Sequence, residues 1–191
     1  MKDSRAKVFY EKIWTDKLAG SFWSGRADII TPLMPKGRYA LLDVGCGNGE
    51  LGRAYASEFE EVHGIDVSEV AVGQARSSFG MVAQTVDLNV ERIPYADSYF
   101  DVVTCLDVIE HVIDPLFVCQ EIYRVLKNDG ILIVSTQNVA FIKLRLRLLV
   151  GNFPGTSGDK DGIDGGHLHL TVRSFLTQYS RFDRRRHSIC V

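Results

Sequence analysis

The spacing of apolar residues switches between two periods along this chain. Near the N-terminus, Ala6, Phe9, Tyr10, Ile13, Trp14 and Lys17 recur at helical spacing and predict a helix over 6–18 with one apolar face. A second helix is expected after Ser24, ending before Pro35. The pattern then changes. Residues 39–44 form a short run with no polar alternation before Asp43, as expected of a strand buried on both faces of a parallel sheet. Comparable runs at 62–67, 81–86, 100–106 and 131–136 predict four more strands. Helices are expected between them, at 50–59, from a Ser68 cap to about 78, and from Asp114-Pro115 to about 127. That last helix should stop at the turn sequence KNDG. Strands alternating with helices imply right-handed crossovers and a doubly wound, mainly parallel α/β sheet with helices on both faces. Residues 151–166 differ: six of the sixteen are glycine, the composition of a mobile loop with a functional role. A final helix is expected from Thr171, and no internal repeat is present.

Composition narrows the picture. The 191 residues suit a single domain with a core of its own. Net charge is −2, which gives no reason to invoke nucleic acid, and the basic cluster Arg184 to Arg186 reads as a solvated tail. Cys46, Cys105, Cys119 and Cys190 form no C-x-x-C pair, which argues for a reducing compartment and against a disulfide framework or a metal site. The N-terminal MKDSRAKVFY lacks an apolar signal segment, and no apolar stretch nears the roughly 20 residues that span a bilayer. A soluble cytoplasmic protein is expected.

The chemistry concentrates at residues 41–52, LLDVGCGNGELG. Gly47, Gly49 and Gly52 satisfy G-x-G-x-x-G, the dinucleotide fingerprint. Gly45, Gly47 and Gly49 satisfy another spacing, D-x-G-x-G-x-G, beginning at Asp43. A dinucleotide pyrophosphate favours a helix N-terminus with no anion beside it. Here Asp43 precedes the loop, Glu50 follows it, and no Lys or Arg occurs between Asp43 and Arg53. These acids suit a ligand with positive charge and no phosphate, and S-adenosylmethionine, with its sulfonium and ammonium, is such a ligand. Asp66 ends the second strand and can accept from both ribose hydroxyls, although dinucleotide enzymes place an acid similarly. A cap for the following helix is its alternative role. Asp87 could accept the adenine amine or serve as a turn residue, and spacing does not choose.

These residues resemble the class I S-adenosylmethionine-dependent methyltransferases. LLDVGCGNG resembles that family's first motif, and VHGIDVSEVAVGQAR its second strand. IPYADSYFDVVTCLDVIEHV and EIYRVLKNDGILIVST resemble the fourth and fifth strand regions, with Asn128, Asp129 and Gly130 keeping the turn chemistry of the family's usual LKPGG. The match covers about 37–137 in order and is most similar to small-molecule enzymes of the quinone-biosynthesis type. STQNVAFIKLRLRLLVGNFP also resembles methyltransferase-like proteins associated with methionine biosynthesis. The resemblance implies a Rossmann-like fold in one domain: N-terminal helices at 1–36, a cofactor-binding core at 37–137, and at 138–191 a substrate-side helix, the mobile loop and a shortened C-terminus. It implies that the backbone from Gly45 through Cys46 and Gly47 to Gly49 cradles the methionine part, with Asp43 helping to hold its ammonium. Asp66 would take the ribose and Val67 pack on adenine. Asp87 and the Leu88 amide would read the adenine edge, and Leu106 and Asp107 lie beside the methionine moiety. The product would be S-adenosylhomocysteine. One departure is the C-terminus. The family has an antiparallel hairpin after the fifth strand, and the eleven residues after 180 are too few for one. An open fifth strand would invite association, so a homodimer or a covered edge is expected.

Methyl transfer is an in-line displacement, for which a general base is optional. His111 in DVIEHV is the first candidate base, with packing as its alternative role. His167 and His169 share a face if extended, and His169 is the candidate for a substrate-pocket role. No third metal ligand accompanies them. Tyr10 and Trp14 could help close the cofactor site, with core packing the preferred role. Residues 139–150 could lie on a membrane surface or cover a lipid-like substrate. An ordinary helix over the sheet edge is preferred. The leading function is methyl transfer to an O, N or C nucleophile of a small molecule. Its rivals are a non-catalytic partner that keeps the fold and an NAD(P)-dependent oxidoreductase.

Overall fold

A computed structural model describes residues 4–16, 27–37, 40–136 and 187–190. The first helix, α1 (Arg5–Thr15), begins at Ser4, whose hydroxyl accepts from the Lys7 N–H at 3.1 Å and so meets one of the unpaired amides of the first turn. The second helical segment is shorter than its spacing implied. α2 (Ala27–Ile30) passes at once into a 3₁₀ turn at Thr31–Leu33, because Pro32 supplies no N–H to continue the α ladder.

The sheet is built from β1 (Ala40–Val44), β2 (Glu61–Asp66), β3 (Val82–Thr85), β4 (Phe100–Leu106), β5 (Leu126–Ser135) and β6 (His187–Cys190). Their order is β3-β2-β1-β4-β5-β6, and every pairing is parallel. β1 and β4 are buried along their whole length, as unbroken apolar runs require of central strands. Their alternating side chains feed two cores. On one face Leu42, Val44, Val103 and Cys105 pack with Val118, Ile122 and Val125 of α5 (Pro115–Val125). On the other, Leu41, Val102 and Leu106 pack with Ile30, Met34 and Leu51, the last from α3 (Glu50–Tyr55). Full burial of each such Leu or Ile is worth about 1.5–3 kcal/mol. The doubly wound arrangement is therefore present, with α4 (Glu69–Phe79) as a further crossover.

Several boundaries differ from the sequence pattern. The helix expected over 50–59 is α3 followed by a 3₁₀ turn at Ala56–Glu58. β3 stops at Thr85, which leaves Asp87 in a loop. α5 ends at Val125, and the KNDG sequence belongs to the start of β5. The pairing with β4 jumps from Phe100–Leu126 to Val102–Ile131, so these residues form an irregularity inside the strand. At the far edge, His187–Cys190, among the last eleven residues that were expected to be too few for a hairpin, form β6, paired parallel with Ile131 to Val134 of β5. A parallel partner needs no adjacent hairpin turn, which is why the hairpin argument did not foresee it. The helix expected over 139–150, the glycine-rich loop and the helix from Thr171 lie outside the described residues.

One ion cluster ties α5 to the loop before β4. Glu121, 4% exposed, accepts from Arg92 Nε and Nη2 at 3.0 and 2.8 Å, from Arg124 Nε and Nη2 at 3.0 and 2.7 Å, and from the Ile93 N–H at 3.1 Å. Arg124 also donates to the Ile93 and Tyr95 carbonyls at 2.7 Å each. Burial alone would raise the Glu121 carboxyl, but hydrogen bonds and charge from Arg124 and Arg92 outweigh it and bring it from 4.5 down to about 2. A carboxyl lowered in this way contributes stability above its unfolded value and loses it as pH falls through about 2. Glu121→Ala is expected to destabilise the protein by roughly 1–3 kcal/mol, because the half-buried Arg124 keeps only the exposed Asp97 as a counter-charge and the buried Ile93 N–H loses its acceptor. Urea unfolding at pH 7 measures this. A wild-type loss of stability between pH 4.5 and 2 that the variant lacks would identify the carboxyl responsible.

Candidate functional site

In a parallel sheet the crevice for ligands opens beyond the carboxyl ends of the strands, where strand order reverses. Here that point lies between β1 and β4. The loop leaving β1 hangs from β2. The Gly45 and Cys46 amides donate to the Ile65 carbonyl at 2.8 and 3.0 Å, and the Gly47 amide donates to Asp66 Oδ2 at 2.9 Å. Gly45 and Gly47 have φ of +75° and +52°, a region that side chains disfavour. Their faces are also occupied. A Cβ on Gly45 would lie 2.2 Å from Val108 Cγ2, and one on Gly47 would lie 2.6 Å from the Trp14 ring.

Asp66 is the hub of the crevice. Its other oxygen accepts from the Ser68 amide at 2.9 Å. Burial pushes its carboxyl up, opposed by bonds from the Ser68, Gly47 and Val67 amides, while nearby Glu11 adds to the rise. The helix-capping alternative falls to Ser68, whose Oγ accepts from the Ala71 N–H at 3.2 Å. Ser68 in turn donates to Glu11 Oε2 at 2.5 Å, and the Val70 N–H donates to Glu11 Oε1 at 3.3 Å. Glu11 thus fixes α1 over the start of α4, with Trp14 buried against Ala71 and Tyr10, Ile13 and Val70 around it. Neither Glu11 nor this docking was visible in the sequence, where Glu11 is one charge on a polar face.

The remaining expected residues lie around the same opening. Asp43 is 3% exposed beneath the loop, and its Oδ1 accepts from the Thr104 hydroxyl at 2.6 Å. The pair is set by the β1–β4 register, which places Asp43 opposite Thr104. Cys46 is buried, and that burial raises its thiol. Leu106 closes β4, and Asp107 follows with φ of +53°, a strained conformation of the kind found at functional sites. Ser135 Oγ donates to Asp107 Oδ1 at 2.9 Å. Asp87 sits in a turn, its Oδ1 accepting from the Asn89 amide and side chain at 3.0 and 2.9 Å, with buried Leu88 between them. Asn89 Oδ1 accepts from the Ile113 N–H at 2.8 Å and so latches the loop after β3 to the one after β4.

The 3₁₀ turn Ile109–His111 carries two polar groups into the crevice. Glu110, 1% exposed and missed by sequence reasoning, accepts from Thr136 Oγ1 at 3.0 Å. His111 meets the Tyr10 ring edge to face, with centroids 5.7 Å apart. His169 lies outside the described residues.

The arrangement has a consistent electrostatic sense. Asp43, Asp66, Asp107 and Glu110 lie at one end of the sheet, where the Thr104, Ser135 and Thr136 hydroxyls and the Gly47 and Ser68 amides bond to them. Arg53, the first cation after the loop, lies over the Phe79 ring at 5.3 Å. Such a crevice favours a cationic ligand and a vicinal diol, and repels a pyrophosphate. A cavity of about 450 Å³ at the opposite end of β2 and β3 is lined by Arg53, Phe59, Glu60, Glu61, His63, Phe79 and Tyr99, with Glu61 already bonded to His63 and Tyr99. No helix among the described residues is long and apolar enough to cross a membrane.

Comparison with known proteins agrees with this geometry. Residues 42–134 match the family model described as a methyltransferase domain. The ubiquinone biosynthesis O-methyltransferase of Histophilus somni is 38% identical over 110 residues, covering 53% of this chain and 46% of that protein. That of Thiobacillus denitrificans is 41% identical over 115 residues, covering 58% and 48%. The chain spans about half the length of these curated relatives. A solved SAM-dependent methyltransferase from Thermotoga maritima is similar in fold, with a TM-score of 0.70 at 19% identity over 91% of this chain and 78% of that one.

Gly45→Ala combines a disfavoured φ with a clash against a β-branched side chain, and is expected to cost roughly 1–3 kcal/mol or more. Gly73 in α4 has open space where its Cβ would be, so Gly73→Ala is expected to add about 0.5–1 kcal/mol. Paired denaturant melts test both. A stable Gly45→Ala protein would refute the loop argument.

Proposed function

We propose that this chain is a class I S-adenosylmethionine-dependent methyltransferase and that it transfers a methyl group to a hydroxyl of a small-molecule acceptor. The observation that carries this reading is Asp66, a buried carboxylate at the end of β2 that also fixes the glycine loop through the Gly47 amide. The relatives' names supply the acceptor class, an oxygen nucleophile of the quinone-precursor type.

The residues fit the cofactor. The backbone of Gly45, Cys46, Gly47 and Gly49 gives close approach to its amino-acid part, with Leu106 and Asp107 alongside. Asp66 accepts from both ribose hydroxyls, and Val67 packs on the adenine. Asp87 and the Leu88 amide read the adenine edge. Asp43 acts as a fixed negative charge beneath the loop, favouring the ammonium and sulfonium. S-adenosylmethionine, when bound, supplies a methyl group activated by its sulfonium and leaves as S-adenosylhomocysteine. The protein's main contribution is to hold the acceptor in line, a positional effect worth about 7–11 kcal/mol in favourable cases. His111, on the turn after β4, takes the acceptor's proton, and His169 lies on the substrate side. The unpaired thiols of Cys46, Cys105 and Cys119 suit a reducing, cytoplasmic setting.

Calorimetry should show S-adenosylhomocysteine binding and no NADH binding. Asp66→Asn should weaken the former by at least about tenfold, because bonds to a charged acceptor contribute roughly 1.5–3 kcal/mol each. Labelled methyl transfer to phenols, amines and carbon acids should favour the phenols. His111→Ala should slow that transfer about 10²–10⁴-fold with little change in S-adenosylhomocysteine affinity. Absence of S-adenosylhomocysteine binding would overturn the reading. Binding without transfer to any acceptor would point to a non-catalytic partner.

A further inference from the structure

The contacts described above leave the Tyr10 hydroxyl unexplained. It is buried and has no hydrogen-bond partner. Its position is fixed rather than incidental. Glu11 ties α1 to Ser68 and Val70, and Trp14, one turn further on, seats against Gly47. The Tyr10 ring is held edge-on by Phe9 and His111, with centroids 5.2 and 5.7 Å away. Burial, with the nearby charges of Asp66 and Glu110, raises the phenol far above its ordinary value, so it keeps its proton and acts as a donor. A buried donor with no acceptor is destabilising, and phenylalanine would fill the same space without that penalty.

We propose that Tyr10 is a cofactor-binding residue whose hydroxyl donates a hydrogen bond to the carboxylate of the cofactor's amino-acid part. The inference rests on the methyltransferase reading. That carboxylate enters a crevice lined by Asp43, Asp66, Asp107 and Glu110, where an anion is disfavoured unless neutral donors meet it. Arg53 is engaged with Phe79, and the Gly45, Cys46, Gly47 and Gly49 amides already bond to Ile65, Asp66 and Cys46, whereas the Tyr10 hydroxyl is a buried donor that has yet to be met. The hydroxyl thus makes α1 part of the site, and its unmet state marks where the ligand completes the structure.

The test is Tyr10→Phe, which removes one oxygen. Calorimetry would use S-adenosylhomocysteine and 5′-methylthioadenosine, which keeps the nucleoside and lacks the amino-acid part. The variant should bind S-adenosylhomocysteine roughly five- to twenty-fold more weakly, as loss of one bond to a charged group implies, with methylthioadenosine affinity unchanged. Its melting midpoint without ligand should equal or exceed that of the wild type. Unchanged S-adenosylhomocysteine affinity, equal losses for both ligands, or a lowered midpoint would each overturn the assignment. Failure of the wild type itself to bind S-adenosylhomocysteine would overturn the methyltransferase reading, and this inference with it.

Discussion

The hydrogen bond from the Gly47 amide to the Asp66 carboxylate is the contact on which the rest of the site depends. It joins the loop of one strand to the end of the next, and so converts parallel pairing of β1 and β2 into a fixed crevice wall. The same carboxylate receives the Ser68 amide, which sets the entry into α4, and Ser68 then receives α1 through Glu11. Three elements therefore take their positions from one buried acid. Burial disfavours its charge, and the three backbone amides that bond to it oppose that effect. A neutral side chain of similar size would keep some of these contacts but not the negative field.

The acids of this protein fall into two kinds, told apart by their partners. Glu121 is met by two arginines and is electrostatically spent, so it holds loop to helix and offers nothing to a ligand. Asp43, Asp107 and Glu110 each accept from a hydroxyl, that of Thr104, Ser135 and Thr136 respectively, which orients the carboxylate. Keeping several carboxylates close together is unfavourable in itself. The cost is consistent with a ligand that brings positive charge, and it is concentrated at the end of the sheet where ligands bind.

Much of this was legible in the sequence because it is local. The unbroken apolar runs gave β1 and β4, Ser68 gave the start of α4, and Asp114-Pro115 gave the start of α5. The glycine loop and Asp66 were legible as a spacing. What escaped depends on register or docking. Thr104 lies 61 residues from Asp43, and they meet because β1 and β4 pair in one particular alignment. Glu11 lies 57 residues from Ser68, on a helix whose resting place no periodicity specifies. KNDG reads as a stop signal by composition, yet the β4–β5 ladder absorbs it as an irregularity.

The two glycine spacings can now be separated on physical grounds. Gly47 and Gly49 belong to both patterns, so the comparison rests on Gly45 against Gly52. Gly45 has a positive φ, and Val108 closes its only direction of growth. Gly52 has no positive φ. A Cβ there would meet Met81 Cε at 2.6 Å, the flexible end of a long side chain that can turn aside. The fold therefore enforces the pattern that starts at Asp43 and tolerates departure from the one that ends at Gly52. Asp43 itself lies under the loop, its Oδ1 held by the Thr104 hydroxyl. A pyrophosphate over that loop would sit above a buried carboxylate. A sulfonium and an ammonium would meet a field that favours them before any direct contact is made.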